Sequence, residues 1–182
     1  MKEKESIQYL KDVFDNVNKW LSFAEAKNGS IVIFNTTCIV NIIKNIDDKE
    51  ISISNIWCWI LCMFCISLIM ALFSFKPNTK SIEAHIMKKR KLNCERNFLF
   101  YAHISELSPY EYITKLNNKG IIVKINKIHK DYVDEIIMNS RITVWKYKMF
   151  KRSLWISIFG VILIILSQIW GWILWKLNLI FK

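Results

Sequence analysis

The chain has 182 residues, of which 53% are hydrophobic, with a net charge of +11 and a mean hydropathy of +0.21. A soluble domain of this size carries less apolar content and spreads it in periodic patches, so this composition excludes an ordinary soluble globular domain. The apolar residues lie in long blocks, which predicts an all-α membrane protein.

Residues 1–27 predict an amphipathic helix that carries five basic and five acidic residues. Its start lacks the basic segment and immediate apolar region of a cleavable signal peptide. We expect this helix to lie on the membrane or to pack on another subunit. The apolar stripe consists of Ile7, Leu10, Val13, Phe14, Val17 and Leu21.

Three uncharged blocks predict transmembrane helices. Residues 51–75 and 153–175 contain 25 and 23 residues without a charge, enough to cross a hydrocarbon core of roughly 30 Å. Residues 28–43 are shorter and more polar, but Lys27 and Lys44 can snorkel at the two ends. We expect spans at about 28–44, 52–75 and 153–176, with a re-entrant or interfacial helix as the alternative for the first.

The block at residues 28–43 contains four polar residues that would be costly if they faced lipid. They either hydrogen-bond to other helices or line the lumen of a pore, and the sequence leaves both interpretations open. Because a chain with three spans cannot enclose a wide channel alone, a pore requires a homo-oligomer. The residues are Asn35, Thr36, Thr37 and Asn41.

The distribution of charge predicts the orientation in the membrane. Residues 76–152 carry 17 Lys and Arg against seven Asp and Glu, whereas residues 44–50 carry two against three. Positively charged loops remain in the cytoplasm. We therefore expect a multi-pass inner-membrane protein with the N-terminus and residues 76–152 in the cytoplasm, residues 44–50 outside, and a short tail at 177–182.

The cytoplasmic insert, residues 76–152, is expected to be helical. Residues 82–106 predict one helix. Residues 108–111 (SPYE) combine an N-cap serine, a proline at the first helical position and a glutamate at the third, which predicts a second helix. Residues 117–120 (NNKG) end it. From residue 121 to residue 175 we expect one long helix that enters the last span.

Basic and aromatic residues in the insert are candidate ligand-binding groups. The cluster at residues 88–91 (KKRK) either touches anionic lipid or attracts a phosphorylated ligand. A guanidinium suits a phosphate, an amide suits a base edge and an aromatic ring stacks on a base, so this combination suits a nucleotide. Helix packing is the alternative interpretation. The candidates here are Lys88, Lys89, Arg90, Arg96, Asn97 and Tyr101.

Residue patterns for catalysis are missing from the sequence. It contains no phosphate-binding glycine loop, no metal-binding box and no Ser/His/Asp order, and His85, His103 and His129 are scattered without a joining pattern. We therefore expect a protein that is not an enzyme and that has no metal or cofactor.

Three stretches resemble the transmembrane effectors of bacterial Pycsar anti-phage systems. They are residues 21–30 (LSFAEAKNGS), 97–112 (NFLFYAHISELSPYEY) and 134–147 (DEIIMNSRITVWKY). In that family the first stretch usually reads Ala-Asp-Ala-Lys-Ala, and here a glutamate replaces the aspartate. The matched polar positions are Glu25, Lys27, Asn97, Tyr112 and Asn139. Further ligand-binding candidates in these stretches are Tyr112, Asn139 and Arg141.

The resemblance implies an effector that senses a cyclic or oligo-nucleotide second messenger and then impairs the inner membrane, so that the infected cell dies. Its partners would be the nucleotide, membrane lipid, further copies of itself and, through its product, a cognate nucleotide cyclase or nucleotidyltransferase. The alternative from a different class is a membrane scaffold that forms no channel and binds anionic lipid or a protein partner.

Overall fold

The computed structural model describes residues 3–47, 55–76, 97–122 and 124–180. All regular structure in these ranges is helical, so the predicted all-α class is confirmed for them. The chain divides into two compact units, and each is described by itself: unit 1 contains Met1–Lys27 and Ser74–Lys148, and unit 2 contains Asn28–Phe73 and Met149–Lys182. The helices are α1 (Glu3–Asp47), α2 (Asn55–Phe73), α3 (Tyr101–Ile104), α4 (Pro109–Asn118) and α5 (Lys127–Ile180).

The apolar stripe of α1 forms one side of the core of unit 1. Leu10, Val13 and Val17 are at most 1% exposed. The stripe therefore packs within its own chain, and the expectation that it lies on the membrane or on another subunit is wrong, because the insert supplies the complementary apolar surface. That surface consists of Ile104, Leu107, Tyr112, Leu116, Ile122, Val133, Ile136 and Ile137.

Helix α4 begins and ends where the sequence predicts. The Ser108 hydroxyl accepts a hydrogen bond from the Glu111 backbone N–H at 3.2 Å, and the Glu111 carboxylate accepts one from the Ser108 N–H at 2.8 Å. Gly120 adopts the left-handed conformation with φ of 69°, and its N–H donates to the Asn117 carbonyl at 2.8 Å. Local capping chemistry thus defines both ends of this helix.

Two of the predicted helices are shorter than expected. Of the helix predicted at 82–106, residues 82–96 lie outside the described residues and residues 97–100 form a turn, since the Asn97 side chain accepts a hydrogen bond from the Leu99 N–H at 2.9 Å. The long helix begins at Lys127 rather than at residue 121. Asn126 caps it by accepting a hydrogen bond from the His129 N–H at 3.0 Å.

Two of the described helices are long and apolar enough to cross a membrane, within Ile56–Phe73 of α2 and within Lys127–Ile173 of α5. In the apolar 18-residue window of each helix, only 22% and 11% of the window is buried, which is unlike the core helix of a soluble domain. The segment of α1 at 28–44 is not among them by this criterion, so a third span remains a prediction.

Unit 2 is built from the second half of α1, α2 and the second half of α5. Its apolar centre consists of Ile42, Ile60 and Phe64. Large apolar side chains face outward, among them Ile33 at 70% exposed, Trp59 at 69% and Trp170 at 65%. An outer surface of this kind is unfavourable in water and favourable in lipid.

Candidate functional site

Residues from the stretches at 21–30, 97–112 and 134–147 meet inside unit 1. The Glu25 carboxylate lies 3.1 Å from the Lys146 ammonium. The Lys27 ammonium lies 5.3 Å from the centre of the Tyr147 ring, and Tyr101 stacks on Tyr147 with ring centres 5.7 Å apart. We call these five residues the junction. Folding therefore brings together residues that are separated by as many as 122 positions in the sequence.

A buried lysine forms the polar half of the junction. Lys146 is 4% exposed, and its ammonium donates to the Ser74 carbonyl at 3.3 Å in addition to the ion pair with Glu25. The Phe75 ring lies 5.5 Å from the same ammonium. A buried charge is costly unless it is paired and hydrogen-bonded, so these contacts link α1, the residues that follow α2, and α5.

Aromatic rings form the other half of the junction and extend beyond it. The Tyr101 ring lies 5.5 Å from Trp20 and 4.8 Å from Phe100, and both neighbours are 38% exposed. Burial raises the pKa of the Tyr101 hydroxyl above its ordinary value. The Lys27 ammonium also lies over the Phe23 ring, at 4.5 Å. Exposed rings can stack on a planar ligand, and the cation beside them can attract an anionic one.

Arg141 and Asn139 have partners within the chain. The Arg141 side chain is 5% exposed, and it donates to the carbonyls of Ser105 and Leu107 at 3.3 and 3.1 Å. These carbonyls follow α3, so the guanidinium stabilises the segment between α3 and α4. Asn139 donates to the side-chain oxygen of Asn18 at 2.9 Å, which links α5 to α1.

Tyr112 and Asn97 both stabilise the turn that precedes α3. Tyr112 is completely buried, and its hydroxyl donates to the Phe98 carbonyl at 3.0 Å. Burial raises the pKa of the Tyr112 hydroxyl well above its ordinary value, and the nearby Tyr9 adds to this effect. The backbone N–H of Asn97 donates to His103 at 3.1 Å. The structure therefore places both residues where they stabilise the turn next to Phe100 and Tyr101.

Replacing Tyr112 with phenylalanine is expected to lower the free energy of unfolding by about 1 kcal/mol, because the Phe98 carbonyl loses its donor while the ring remains packed. Tyr110→Phe on the same helix is the matched control, since Tyr110 is 79% exposed. Chemical denaturation in detergent measures both variants. If the Tyr112→Phe and Tyr110→Phe variants are equally stable and only Tyr112→Phe binds ligand more weakly, Tyr112 contacts the ligand and does not stabilise the turn.

Four of the five basic ligand-binding candidates fall outside the part of the insert that the structure describes. Lys88, Lys89, Arg90 and Arg96 lie outside the described residues.

The described surface near the junction includes an open groove of about 650 Å³. One helix supplies all its lining residues, so it is a shallow surface rather than an enclosed pocket. They are Asp15, Asn18, Lys19, Ser22 and Phe23.

The candidate pore residues divide into two groups in unit 2. Asn35 is completely buried; its amide donates to the Ser67 hydroxyl at 2.8 Å, and its oxygen accepts from Ser157 at 2.6 Å. This is the interhelical hydrogen bonding that the sequence left as one of two interpretations. Thr36, Thr37 and Asn41 are exposed, and the two threonine hydroxyls donate to carbonyls of their own helix.

A buried histidine cluster is a feature that the sequence analysis missed. His129 is completely buried, with Nε2 2.8 Å from the Ser6 hydroxyl and Nδ1 in contact with the Asn126 side-chain oxygen. Asn126 also donates to the Glu3 carboxylate at 2.6 Å. The Asn-x-x-His spacing could have predicted the helix cap, but nothing in the sequence indicates Ser6 as a partner. Ser6 is only 3% exposed. The hydrogen bonds of this cluster connect the start of α1 to the start of α5.

The fold and these contacts define a helical membrane protein whose polar residues connect long helices. The Pycsar effector protein domain (PycTM) matches residues 9–173. The chain therefore belongs to the Pycsar effector family, the membrane effectors of anti-phage defence, and the predicted resemblance is confirmed.

A curated relative is the Pycsar effector protein TpPycTM of Treponema porcinum, which is 30% identical over 76 residues. The aligned region covers 42% of this chain and 66% of that protein, so it spans slightly less than two thirds of the relative's length. No solved structure has significant similarity to the chain.

Proposed function

We propose that this protein senses a nucleotide signal and then permeabilises the inner membrane as a homo-oligomeric pore, which causes abortive infection. The observation that carries the proposal is the family match, which includes residues of both units. An effector is the output component of a signalling pathway. The input would be a cyclic or oligo-nucleotide made by a cognate nucleotide cyclase or nucleotidyltransferase.

The proposed division of labour follows the chain. Residues 28–75 and 153–176 form the spans, and residues 1–27 and 76–152 form the cytoplasmic sensor. Helices α1 and α5 each contribute residues to both units. A ligand that binds one arrangement of the sensor more tightly shifts the population toward it. These two helices give that shift a covalent route to the spans.

We place the nucleotide beside the junction. Trp20 and Phe100 offer partly exposed rings for a base, and Lys27 offers a cation for a phosphate. The insert adds a net charge of +10, to which Lys88, Lys89, Arg90 and Arg96 contribute. Asn97, Tyr112, Asn139 and Arg141 have partners within the chain, and we propose that they hold the elements that frame this surface.

An exposed face of α1, on which the apolar Ile33 and Val40 lie between polar side chains, is the proposed lining of the pore. Thr36, Thr37 and Asn41 lie on it, in a unit whose remaining outer surface is largely apolar. Polar groups that would otherwise face lipid are stabilised when several copies turn them toward water or toward one another.

The test is reconstitution in liposomes of phosphatidylethanolamine and phosphatidylglycerol that contain a self-quenched dye. The probes are the four 3′,5′-cyclic mononucleotides and cyclic dinucleotides, and we expect one of them to release the dye. Neutralising Lys88, Lys89 and Arg90 to glutamine should weaken binding of that nucleotide by roughly 10- to 150-fold, because charge-assisted contacts are worth about 1.5–3 kcal/mol. Added salt should weaken binding as well.

The matched control neutralises Lys124, Lys127 and Lys130, which are exposed and lie in the same insert. If the two triple variants weaken nucleotide binding equally, the basic cluster acts only through its contribution to the total charge of the insert. Liposomes that remain tight with every nucleotide would favour the alternative function, a membrane scaffold that binds anionic lipid or a protein partner.

A further inference from the structure

A polar layer crosses the interior of unit 2. Asn35, Ser67, Ser153 and Ser157, which come from three helices, are each at most 1% exposed. The Ser67 hydroxyl lies 2.8 Å from the Asn35 amide and 2.7 and 2.8 Å from the hydroxyls of Ser153 and Ser157. Ser153 returns a hydrogen bond to the Ser67 carbonyl at 2.9 Å. The hydrogen bonds that join different helices form only while α1, α2 and α5 remain in this register.

An aromatic ring seated on a glycine lies next to the polar layer. Phe64 precedes Ser67 by three residues, and Gly160 follows Ser157 by three residues, so each lies about one helical turn away. A methyl group added to Gly160 would lie 2.9 Å from Phe64 Cε2 and 3.0 Å from Cζ. Phe64 is completely buried, and the Phe34 ring lies 6.3 Å from it. The ring therefore fits this position because residue 160 has no side chain.

The two features respond differently when the helices part. Separation would remove the interhelical partners of the Asn35 amide and of the Ser67 and Ser153 hydroxyls, whereas the Ser157 hydroxyl can still donate to the Ser153 carbonyl of its own helix at 3.1 Å. Such a loss is costly in lipid and is compensated once water enters. Removing Phe64 from Gly160 would take away the apolar contact that adjoins the layer. The contact between the ring and the glycine thus belongs to the arrangement in which the polar layer is closed and dry, and its loss belongs to the arrangement in which the layer is hydrated.

We propose that the contact between Phe64 and Gly160 is a latch that holds the spans in their resting arrangement. Permeation requires the ring to leave the glycine, after which water hydrates the polar layer. This inference rests on the proposed function, since it assigns the step by which the membrane becomes permeable. The step that controls permeation is then the separation of Phe64 from Gly160 inside each chain. The proposed pore lining, in contrast, consists of exposed residues of α1 on the outer face of unit 2.

The test compares Gly160→Ala with Gly171→Ala in the liposome assay without any nucleotide. Both glycines lie in α5, but a methyl group at residue 171 meets nothing within 4 Å. Overpacking should shift the balance between closed and open forms by roughly 5- to 150-fold, which is the range that corresponds to its usual cost. We expect Gly160→Ala to leak without a signal and Gly171→Ala to behave as the wild type does.

A second variant keeps the test decisive if Gly160→Ala folds poorly. Phe64→Ala removes the ring instead of displacing it, so it should also leak without a signal. Adding Gly160→Ala to it should increase the leak little further, because both changes remove the same contact. Size-exclusion chromatography and circular dichroism verify that each variant is folded.

The outcomes separate the latch from the function on which it rests. If the wild type leaks with a nucleotide but Gly160→Ala and Phe64→Ala stay as tight as Gly171→Ala without one, the latch is overturned and the proposed function stands. If every protein stays tight with every nucleotide, the proposed function fails and the latch fails with it.

Discussion

Replacing Asn35 with leucine is expected to loosen the packing of unit 2. The change removes a donor to Ser67 and an acceptor from Ser157. Hydrogen bonds between membrane helices contribute about 0.6 kcal/mol on average and about 1.7 kcal/mol at most. The loss of two, together with an added branched side chain at a buried position, should lower the free energy of unfolding by about 1–3 kcal/mol. Unfolding in mixed micelles measures it.

The position of Asn35 also predicts the direction of its effect on permeability. Its side chain lies in the polar layer of unit 2, so Asn35→Leu should weaken the closed arrangement and raise the leak that occurs without a signal. Asn41→Leu changes a residue on the exposed face of α1 and should instead reduce the leak that the signal causes, because apolar groups dewet a lumen.

The matched control is Thr37→Val, in which the lost hydroxyl donates only to the Ile33 carbonyl of the same helix. It should leave the unfolding midpoint close to that of the wild type. An Asn35→Leu protein that unfolds as the wild type does would contradict the interhelical role of Asn35 and return it to the candidate pore lining.

Removing the carboxylate of Glu25 is expected to destabilise unit 1. Breaking a fully buried ion pair from one side costs about 3–5 kcal/mol, because the other charge stays buried without compensation. The Glu25 side chain is 50% exposed whereas that of Lys146 is 5% exposed, so water can compensate part of the loss. We therefore expect Glu25→Gln to lower the free energy of unfolding by about 1–3 kcal/mol.

The partner substitution should have a smaller effect. Lys146→Met removes the buried charge and keeps an apolar side chain of similar length, and such replacements are often nearly neutral. Adding Glu25→Gln to Lys146→Met should then cost little more, which makes the pair strongly non-additive. Denaturant titrations of the four proteins complete the cycle, and additive losses would show that the two residues act independently.

Local sequence patterns predicted the elements whose cause is itself local. The SPYE start and the NNKG end of α4 are confirmed, since each capping group lies within a few residues of the backbone group that it satisfies. The stripe at Leu10, Val13 and Val17 is buried as its spacing predicts, although its partner surface could not be identified from spacing alone. The family was also recognisable from three short stretches.

The predicted helix at 82–106 failed over residues 97–100 because two contacts compete there with helical hydrogen bonding. The Asn97 side chain accepts a hydrogen bond from the Leu99 N–H. The Tyr112 hydroxyl donates a hydrogen bond to the Phe98 carbonyl, although it lies 14 residues further along the chain. Propensity and periodicity describe a segment by itself, so they do not register a distant donor that stabilises a turn.

The sequence by itself determined the helical class, the apolar blocks long enough to cross a membrane, the charge of the insert and the family, since composition, block length and short motifs express these properties directly. The tertiary structure decided which polar residues are partners. Ser6 meets His129, Asn35 meets Ser157, and Glu25 meets Lys146, each across more than 100 residues of chain. Such contacts depend on how helices that are distant in sequence pack, and residue spacing along one chain carries no record of that packing.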